Sequence, residues 1–255
     1  IDLDDALEAE GLTYNDLRYE FDEPLNYSSH PYRNLADFSA KPHGIPVVSF
    51  FAGAGGADIG FEAAGFSQVA SIEINRIFCD TLRLNRPKWK VLGPPEHTGN
   101  VSKIDSVSHE IRLSIGTGKR FEGVFVGGPP CQPFSIAANQ RFNKSGKNFK
   151  RIGYEHKTNG NLLFDFIALV KRFQPAAFLI ENVTGLADVD GGVQLREALR
   201  ILSASGYKLE NPITLNAANY HVPQQRIRMV IIGNRLGRSF RMPPPSSQTI
   251  PCASA

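Results

Sequence analysis

The sequence predicts an α/β protein whose core is a doubly wound, mostly parallel sheet. Three observations predict it. Short apolar, β-branched segments alternate with amphipathic helical segments from residue 47 to residue 232, and alternation of this kind builds parallel sheets covered by helices. A glycine-rich turn, Phe51-Ala52-Gly53-Ala54-Gly55-Gly56, directly follows the first apolar segment. The residues with evident chemical reactivity lie just after other apolar segments, where open α/β sheets place their ligands.

Taken in order, residues 1–46 read as an N-terminal extension and linker. Leu3, Leu7, Leu12 and Leu17 support one or two short helices, and Pro24, Pro31, Pro42 and Pro46 break the chain beyond them. Val47-Val48-Ser49-Phe50-Phe51 is a buried strand by its β-branched and aromatic content. Ala57 to Ala64 forms a helix closed by Gly65. Gln68 to Ile72 is a second strand ending at Glu73, and residues 75–86 are a helix stopped by Pro87. Phe121 to Val126 is a buried strand, the fourth by count. Leu162 to Phe173 carries a helical apolar stripe with Pro175 beyond its end. Ala176 to Ile180 is a strand, residues 193–204 a helix, and Met229 to Ile232 the last strand. The domain proper spans 47–245, with 246–255 as a tail.

The 255 residues are 42% hydrophobic and 21% charged, enough for a sizeable core and incompatible with global disorder. No stretch approaches the roughly 18 apolar residues a membrane span requires, and no basic-then-apolar leader opens the chain. Three widely spaced cysteines argue against a disulfide scaffold, and with no Cys-x-x-Cys or His-x-x-x-His pair no metal site is expected. A reducing cytoplasm is the expected setting. Residues 1–23 hold nine acids and one base, leaving 27 basic and 16 acidic residues in 24–255. A basic body of this kind suits a polyanionic partner.

Two constellations carry chemistry. The glycine turn lets the backbone approach a ligand closely, and Glu73, 17 residues after Gly56, can accept the hydroxyls of a ribose. Together they indicate a nucleoside cofactor; the loop lacks the full G-x-G-x-x-G, which favours an adenosyl group over a dinucleotide. The fourth strand runs into Gly127-Gly128-Pro129-Pro130-Cys131-Gln132-Pro133-Phe134-Ser135. A cysteine held between prolines at a strand's carboxyl end is placed as a nucleophile, given positive charge or a helix N-terminus to lower its pKa. Cys79, in a helical segment, reads as core packing.

Residues 127–135 resemble the catalytic loop of the cytosine carbon-5 DNA methyltransferases. Residues 51–56 resemble that family's cofactor loop, Glu181-Asn182-Val183 its Glu-Asn-Val motif, and Gln224-Gln225-Arg226-Ile227-Arg228 its Gln-x-Arg-x-Arg motif. The four occur in family order and cover roughly 47–245. The resemblance implies a Rossmann-like S-adenosylmethionine-dependent methyltransferase fold, with S-adenosylhomocysteine as product and double-stranded DNA as partner. It implies that Cys131 adds to carbon 6 of a flipped cytosine, with Glu181 at ring nitrogen 3 and the exocyclic amine. Burial of Glu181 between apolar strands is expected to keep its proton available. Asn182 braces the loop, Arg228 reaches the cytosine O2, and Arg226 supports the site or binds phosphate. For the cofactor it implies Phe51, Ala52, Gly53, Gly55 and Gly56 around the methionine part, Glu73 on the ribose and Ile74 beside the adenine. Gly99-Asn100-Val101 stands where the family has Gly-Asp-Ile, with Asn100 and Val101 as the implied cofactor contacts, Pro129 lies near the methyl donor, and Leu162 or Leu163 packs nearby. Gln132, Ser135 and Gln225 are implied DNA contacts, with Arg141 and Lys144 and Lys147 in a polar, basic segment, 136–160, that closes over DNA.

The family continues into a target-recognition region and a Gly-Asn-Ser-rich segment. Neither is found before Ala255, so the chain is expected to be either truncated or one polypeptide of a two-subunit modification enzyme from a prokaryote, nucleoid-associated in the cytoplasm. Two other readings stand beside it: an RNA (tRNA) cytosine-5 methyltransferase, and a catalytically inactive regulatory relative. Intact Cys131, Glu181 and Arg228 argue against the last.

Overall fold

The computed structural model describes residues 40–116, 118, 120–130 and 162–246, with residues 9 and 11 besides. The chain divides into two units, Ile1–Phe38 and Ser39–Ala255, and the sheet and its helices belong to the second. Residues 40–45, expected as linker, are part of that unit. Ala40 N–H donates to Ala63 O at 2.7 Å and His43 N–H to Gly65 O at 3.0 Å, and the His43 ring meets Phe66 edge-on.

An eight-stranded sheet forms the centre. Its strands are β1 (Pro46–Phe50), β2 (Ser67–Ile72), β3 (Val91–Leu92), β4 (Val124–Gly127), β5 (Ala177–Asn182), β6 (Lys208–Leu209), β7 (Ile213–Asn216) and β8 (Ile227–Asn234). The order is β3-β2-β1-β4-β5-β8-β6, with β7 also on β8. β1 to β5 are parallel. β8 runs antiparallel to β5, β6 and β7. The α-helices that pack on the sheet, among the described residues, are α1 (Gly56–Ala63), α2 (Arg76–Asn85), α3 (Ile104–Ile115), α4 (Leu162–Phe173) and α5 (Val193–Ala204). The expected doubly wound, mostly parallel α/β class is therefore the observed one.

β3, β6, β7 and α3, and the first part of β8, were not legible as such. β3 is two residues long, too short for any period to register. α3 hides its stripe, Ile104, Val107 and Ile111, among serines, a histidine and acids. β8 spans eight residues rather than four, because its first part, Ile227-Arg228, is half in solvent and does not look apolar.

The strands alternate their side chains between two faces. On one, Val48, Phe50, Ile72, Phe125, Phe178, Ile180 and Ile231 join Val107 and Ile111 of α3, Phe166, Ile167 and Val170 of α4, and Ala198 and Leu202 of α5 in the main core. Phe166 is its keystone: its ring meets Phe50 at 5.1 Å, and it lies so close over Gly127 that a β-carbon there would collide with it. The other face carries Val47, Ser49, Val126, Leu179, Glu181 and Val230, and a cavity opens on it. Replacing Phe166 with Ala should lower unfolding free energy by about 3–5 kcal/mol, read as a lower urea midpoint with an unchanged slope.

Candidate active site

The site is assembled where the parallel strands end. After β1 the chain turns through left-handed backbone at Phe51 (φ 57°), Gly53 (φ 56°) and Gly55 (φ 93°). For Phe51 that conformation is strained, a cost met at functional turns. Gly55 is the N-cap of α1 and offers no side-chain oxygen, so the partial positive charge of the helix end faces the one acid of the first turn, Asp58, and whatever the loop before it binds.

Glu73, at the end of β2, is 7% exposed and joins the loops. Its Oε2 accepts from Gly53 N–H and its Oε1 from Asn75 N–H, both at 2.7 Å. Its carbonyl accepts from Cys79 Sγ at 3.3 Å. A β-carbon on Gly93 or Gly99 would overlap that same carbonyl. Ile74 beside it is 60% exposed, available to cover a flat ring. Asn100 Oδ1 accepts from Ser102 N–H at 3.0 Å, as an aspartate would, and keeps a second lone pair. Val101 instead buries its side chain in the core, and so does Leu163, while Leu162 stays half-exposed.

The second edge lies around Gly127-Gly128-Pro129. Asn182, 2% exposed, donates from Nδ2 to Pro129 O at 3.3 Å and accepts Val183 N–H at 2.8 Å. Glu181 receives Arg228 Nε at 2.9 Å and Arg226 at 3.4 Å, both on Oε1. The expected burial of Glu181 is not observed: its side chain is 37% exposed, because it lies one residue beyond the last pairing of β5 with β4, Gly127 opposite Ile180, and faces the cavity. Ion pairs this exposed contribute only about 0–1 kcal/mol. Stability therefore does not account for two guanidinium groups converging on one carboxylate oxygen. Gln225 turns elsewhere, accepting from Asn216 Nδ2.

A cavity of about 630 Å³ joins the two edges, lined by Phe51, Ala52 and Gly56 at one end and Gly128, Glu181 and Arg226 at the other. Cys131, Gln132, Ser135, Arg141, Lys144 and Lys147 lie outside the described residues. Among the described residues, no group of His, Cys, Asp or Glu could hold a metal ion, and no helix is long and apolar enough to cross a membrane.

Two residues escaped sequence reasoning. Asn216 holds Arg226 in place, its Oδ1 accepting Arg226 N–H at 3.1 Å. Asp58, in the first turn of α1, is fully buried against Ser49 and Ser71. Its signal was the pair of serines placed at mid-strand between apolar neighbours, which demand a polar partner. Burial pushes the Asp58 carboxyl up from its ordinary 3.8; hydrogen bonds from both serines oppose this, and Glu73 reinforces it.

A parallel sheet closed by an antiparallel strand, with a glycine turn after β1 and an acid after β2, defines a nucleoside-cofactor fold of the methyltransferase class. The family model for C-5 cytosine-specific DNA methylase matches residues 45–252, and the chain belongs to that family. Type II methyltransferase M.AquIA of Picosynechococcus sp. is 35% identical over 208 residues, 78% of this chain and 76% of that protein. M.Eco47II of Escherichia coli is 37% identical over 189 residues, 74% of this chain but 39% of the relative. Among solved structures, the Entamoeba histolytica methyltransferase EhMeth aligns with TM-score 0.57 at 16% identity, covering 81% of this chain and 58% of its own. A Spodoptera frugiperda DNMT2 mutant aligns with TM-score 0.56 at 17% identity, covering 81% and 57%. These last two establish the fold alone.

Burial moves the Cys79 thiol from an ordinary 9.0 to about 11, with Arg83 opposing. The thiol is therefore protonated throughout the neutral range and shielded. Iodoacetamide at pH 8 should leave Cys79 unlabelled in the folded chain and label it fully in urea, as read by peptide mass mapping. Since its folded pKa lies above the unfolded one, its contribution to stability is full below pH 9 and is lost as pH rises from 9 to 11.

Proposed function

We propose that this chain is the catalytic part of a DNA (cytosine-5-)-methyltransferase, moving a methyl group from S-adenosylmethionine to carbon 5 of a cytosine flipped out of double-stranded DNA. One observation carries the reading. Glu181, Arg226 and Arg228 meet beside Gly128 at one end of a cavity whose other end is the glycine turn, in a chain whose family match runs through both.

The residues fit the cofactor. The cavity lies within the range of small-molecule sites. Each Glu73 oxygen retains a lone pair for a ribose hydroxyl, and the bare N-terminus of α1 suits a carboxylate. Phe51, Ala52, Gly53, Gly55 and Gly56 would hold the methionine part, Ile74 and Asn100 the adenine, and Pro129 and Leu162 would flank the methyl group. Bound there, S-adenosylmethionine supplies an electrophilic methyl group on a sulfonium and departs as S-adenosylhomocysteine.

The chain's own residues prepare the base. Carbon 5 of cytosine is a poor nucleophile. Addition of the Cys131 thiolate at carbon 6 pushes electron density onto carbon 5. Glu181 hydrogen-bonds the exocyclic amine and nitrogen 3, where negative charge develops. Arg228, already on Glu181, reaches the cytosine O2, and Arg226 supports the same cluster or a phosphate. Once carbon 5 carries the methyl group it loses its proton, the carbon–sulfur bond breaks, and the thiolate and the aromatic ring are restored. Asn182, on the Pro129 carbonyl, braces the start of the loop that bears Cys131. Gln132, Ser135, Arg141, Lys144 and Lys147 are proposed to face DNA, their phosphate contacts weakening with salt.

Replacing Cys131 with Ser should abolish methyl transfer while leaving cofactor affinity intact. With DNA carrying 5-fluorocytosine, the unaltered enzyme should form a denaturation-resistant adduct. An adduct surviving in Cys131→Ser, or one mapped to Cys79, would exclude this nucleophile, and trapping on RNA in preference to DNA would redirect the substrate. Glu73→Ala should weaken S-adenosylmethionine binding by about 1–3 kcal/mol in calorimetry, with DNA affinity nearly unchanged.

A further inference from the structure

Asp58 takes no part in the methyl-transfer chemistry, yet it is the most completely buried acid on the cavity side of the sheet, with no exposed surface. Its Oδ1 accepts from the Ser49 hydroxyl of β1, the Ser71 hydroxyl of β2 at 2.6 Å and the Gln68 amide at 2.9 Å. Its Oδ2 is equally buried and has no hydrogen-bond partner among the described residues. Clipping two serines to a helix requires one acceptor oxygen. The second is a desolvated oxygen with no hydrogen-bond donor among the described residues, and such groups are costly. Beyond the partial positive charge of the α1 N-terminus, in whose first turn it lies, what the carboxylate lacks is a cationic partner. Among the described residues no cation pairs with it. Glu73 repels its charge, and the other charged residues lining the cavity, Glu181 and Arg226, pair with one another.

Asp58 lines that cavity together with Ser49, Gly56 and Ala57. We propose that Asp58 is the buried counter-charge through which the cofactor pocket favours the cationic methyl donor relative to its neutral, demethylated product. The inference rests on the assignment of this pocket to S-adenosylmethionine. The two compounds share adenosine, amine and carboxylate and differ by the sulfonium methyl group and its one positive charge. Every polar contact at Glu73 or at the α1 N-terminus is common to both. A negative charge on Asp58 beneath the pocket is not: it acts through a poorly screened interior on the charge that differs, and that cation in turn favours the ionised carboxylate against the burial that raises its pKa.

The test is calorimetry on the full chain with S-adenosylmethionine and S-adenosylhomocysteine. Asp58→Asn keeps Oδ1 as acceptor for both serines and removes the charge. It should weaken donor binding about tenfold while changing product binding less than twofold. Equal losses for both compounds would reduce Asp58 to a structural clip, and no change in either would remove it from the pocket; both outcomes overturn the proposal. Ser71→Ala removes a hydroxyl from Asp58 and keeps the charge, so it should preserve the wild-type ratio of the two affinities. A ratio that moves toward the product in this variant overturns the proposal as well, and this holds even where Asp58→Asn does not fold. If the wild-type chain binds neither compound, it is the cofactor assignment that fails, which is a distinguishable result.

Discussion

The antiparallel pairing of β8 with β5 is the constraint on which the site depends. Five parallel strands deliver their carboxyl ends to one edge of the sheet, and a sixth parallel strand would have placed the Gln-x-Arg-x-Arg segment at the opposite edge. Because β8 runs backwards, its beginning arrives beside the end of β5, in the register Glu181 opposite Val230 and Asn182 opposite Met229. Residues directly opposite share a face, and so do residues two apart. Arg228 and Arg226 therefore project on the face of Val230 and Glu181. A slip of one residue would turn both arginines to the other side, and the spacing of two in the motif is what that geometry requires.

A second tie operates through the backbone. Glu73 holds Gly53 with one oxygen and Asn75 with the other, while its carbonyl is enclosed by Gly93, Gly99 and the Cys79 thiol. The loops after β1, β2 and β3 thus form one body before any ligand arrives. A site pre-arranged in this way loses less conformational entropy on binding than three separate loops would. Gly99 (φ 63°) meets two demands there, left-handed backbone and contact with a carbonyl that leaves no room for a β-carbon.

The two faces of the sheet divide the work. The face under α3, α4 and α5 is packed with large aromatic and aliphatic side chains and gives the domain its stability. The face under α1 has serines and a buried acid where the other has phenylalanines, and it leaves a cavity. Phe166 ties the core to the site, since its ring fills the core and leaves no room for a β-carbon on Gly127, after which Gly128 lines the cavity.

Sequence alone determined the class of fold and most of its order. Runs such as Val47 to Phe51 and Leu162 to Phe173 bury enough apolar surface to impose their own period, and the glycine turn and Glu181-Asn182 are read directly because their chemistry is local. It also located Glu73 and the arginine motif, though not what they would touch. Only the tertiary structure decided the direction of β8, since strand direction depends on partners distant in sequence and leaves no trace in a short apolar run. The structure alone decided that β3, β6, β7, α3 and the first part of β8 exist as elements, because neighbours supply what their own sequences lack. It sent Val101 into the core, chose Leu163 over Leu162 for burial, and brought Glu181 out toward solvent, against the expected burial, since exposure is set by where a strand outruns its neighbour and not by the apolar residues beside it. Asp58 became visible only when β1, β2 and α1 were brought together, because the need of two buried serines for a shared acceptor is a property of the packed state.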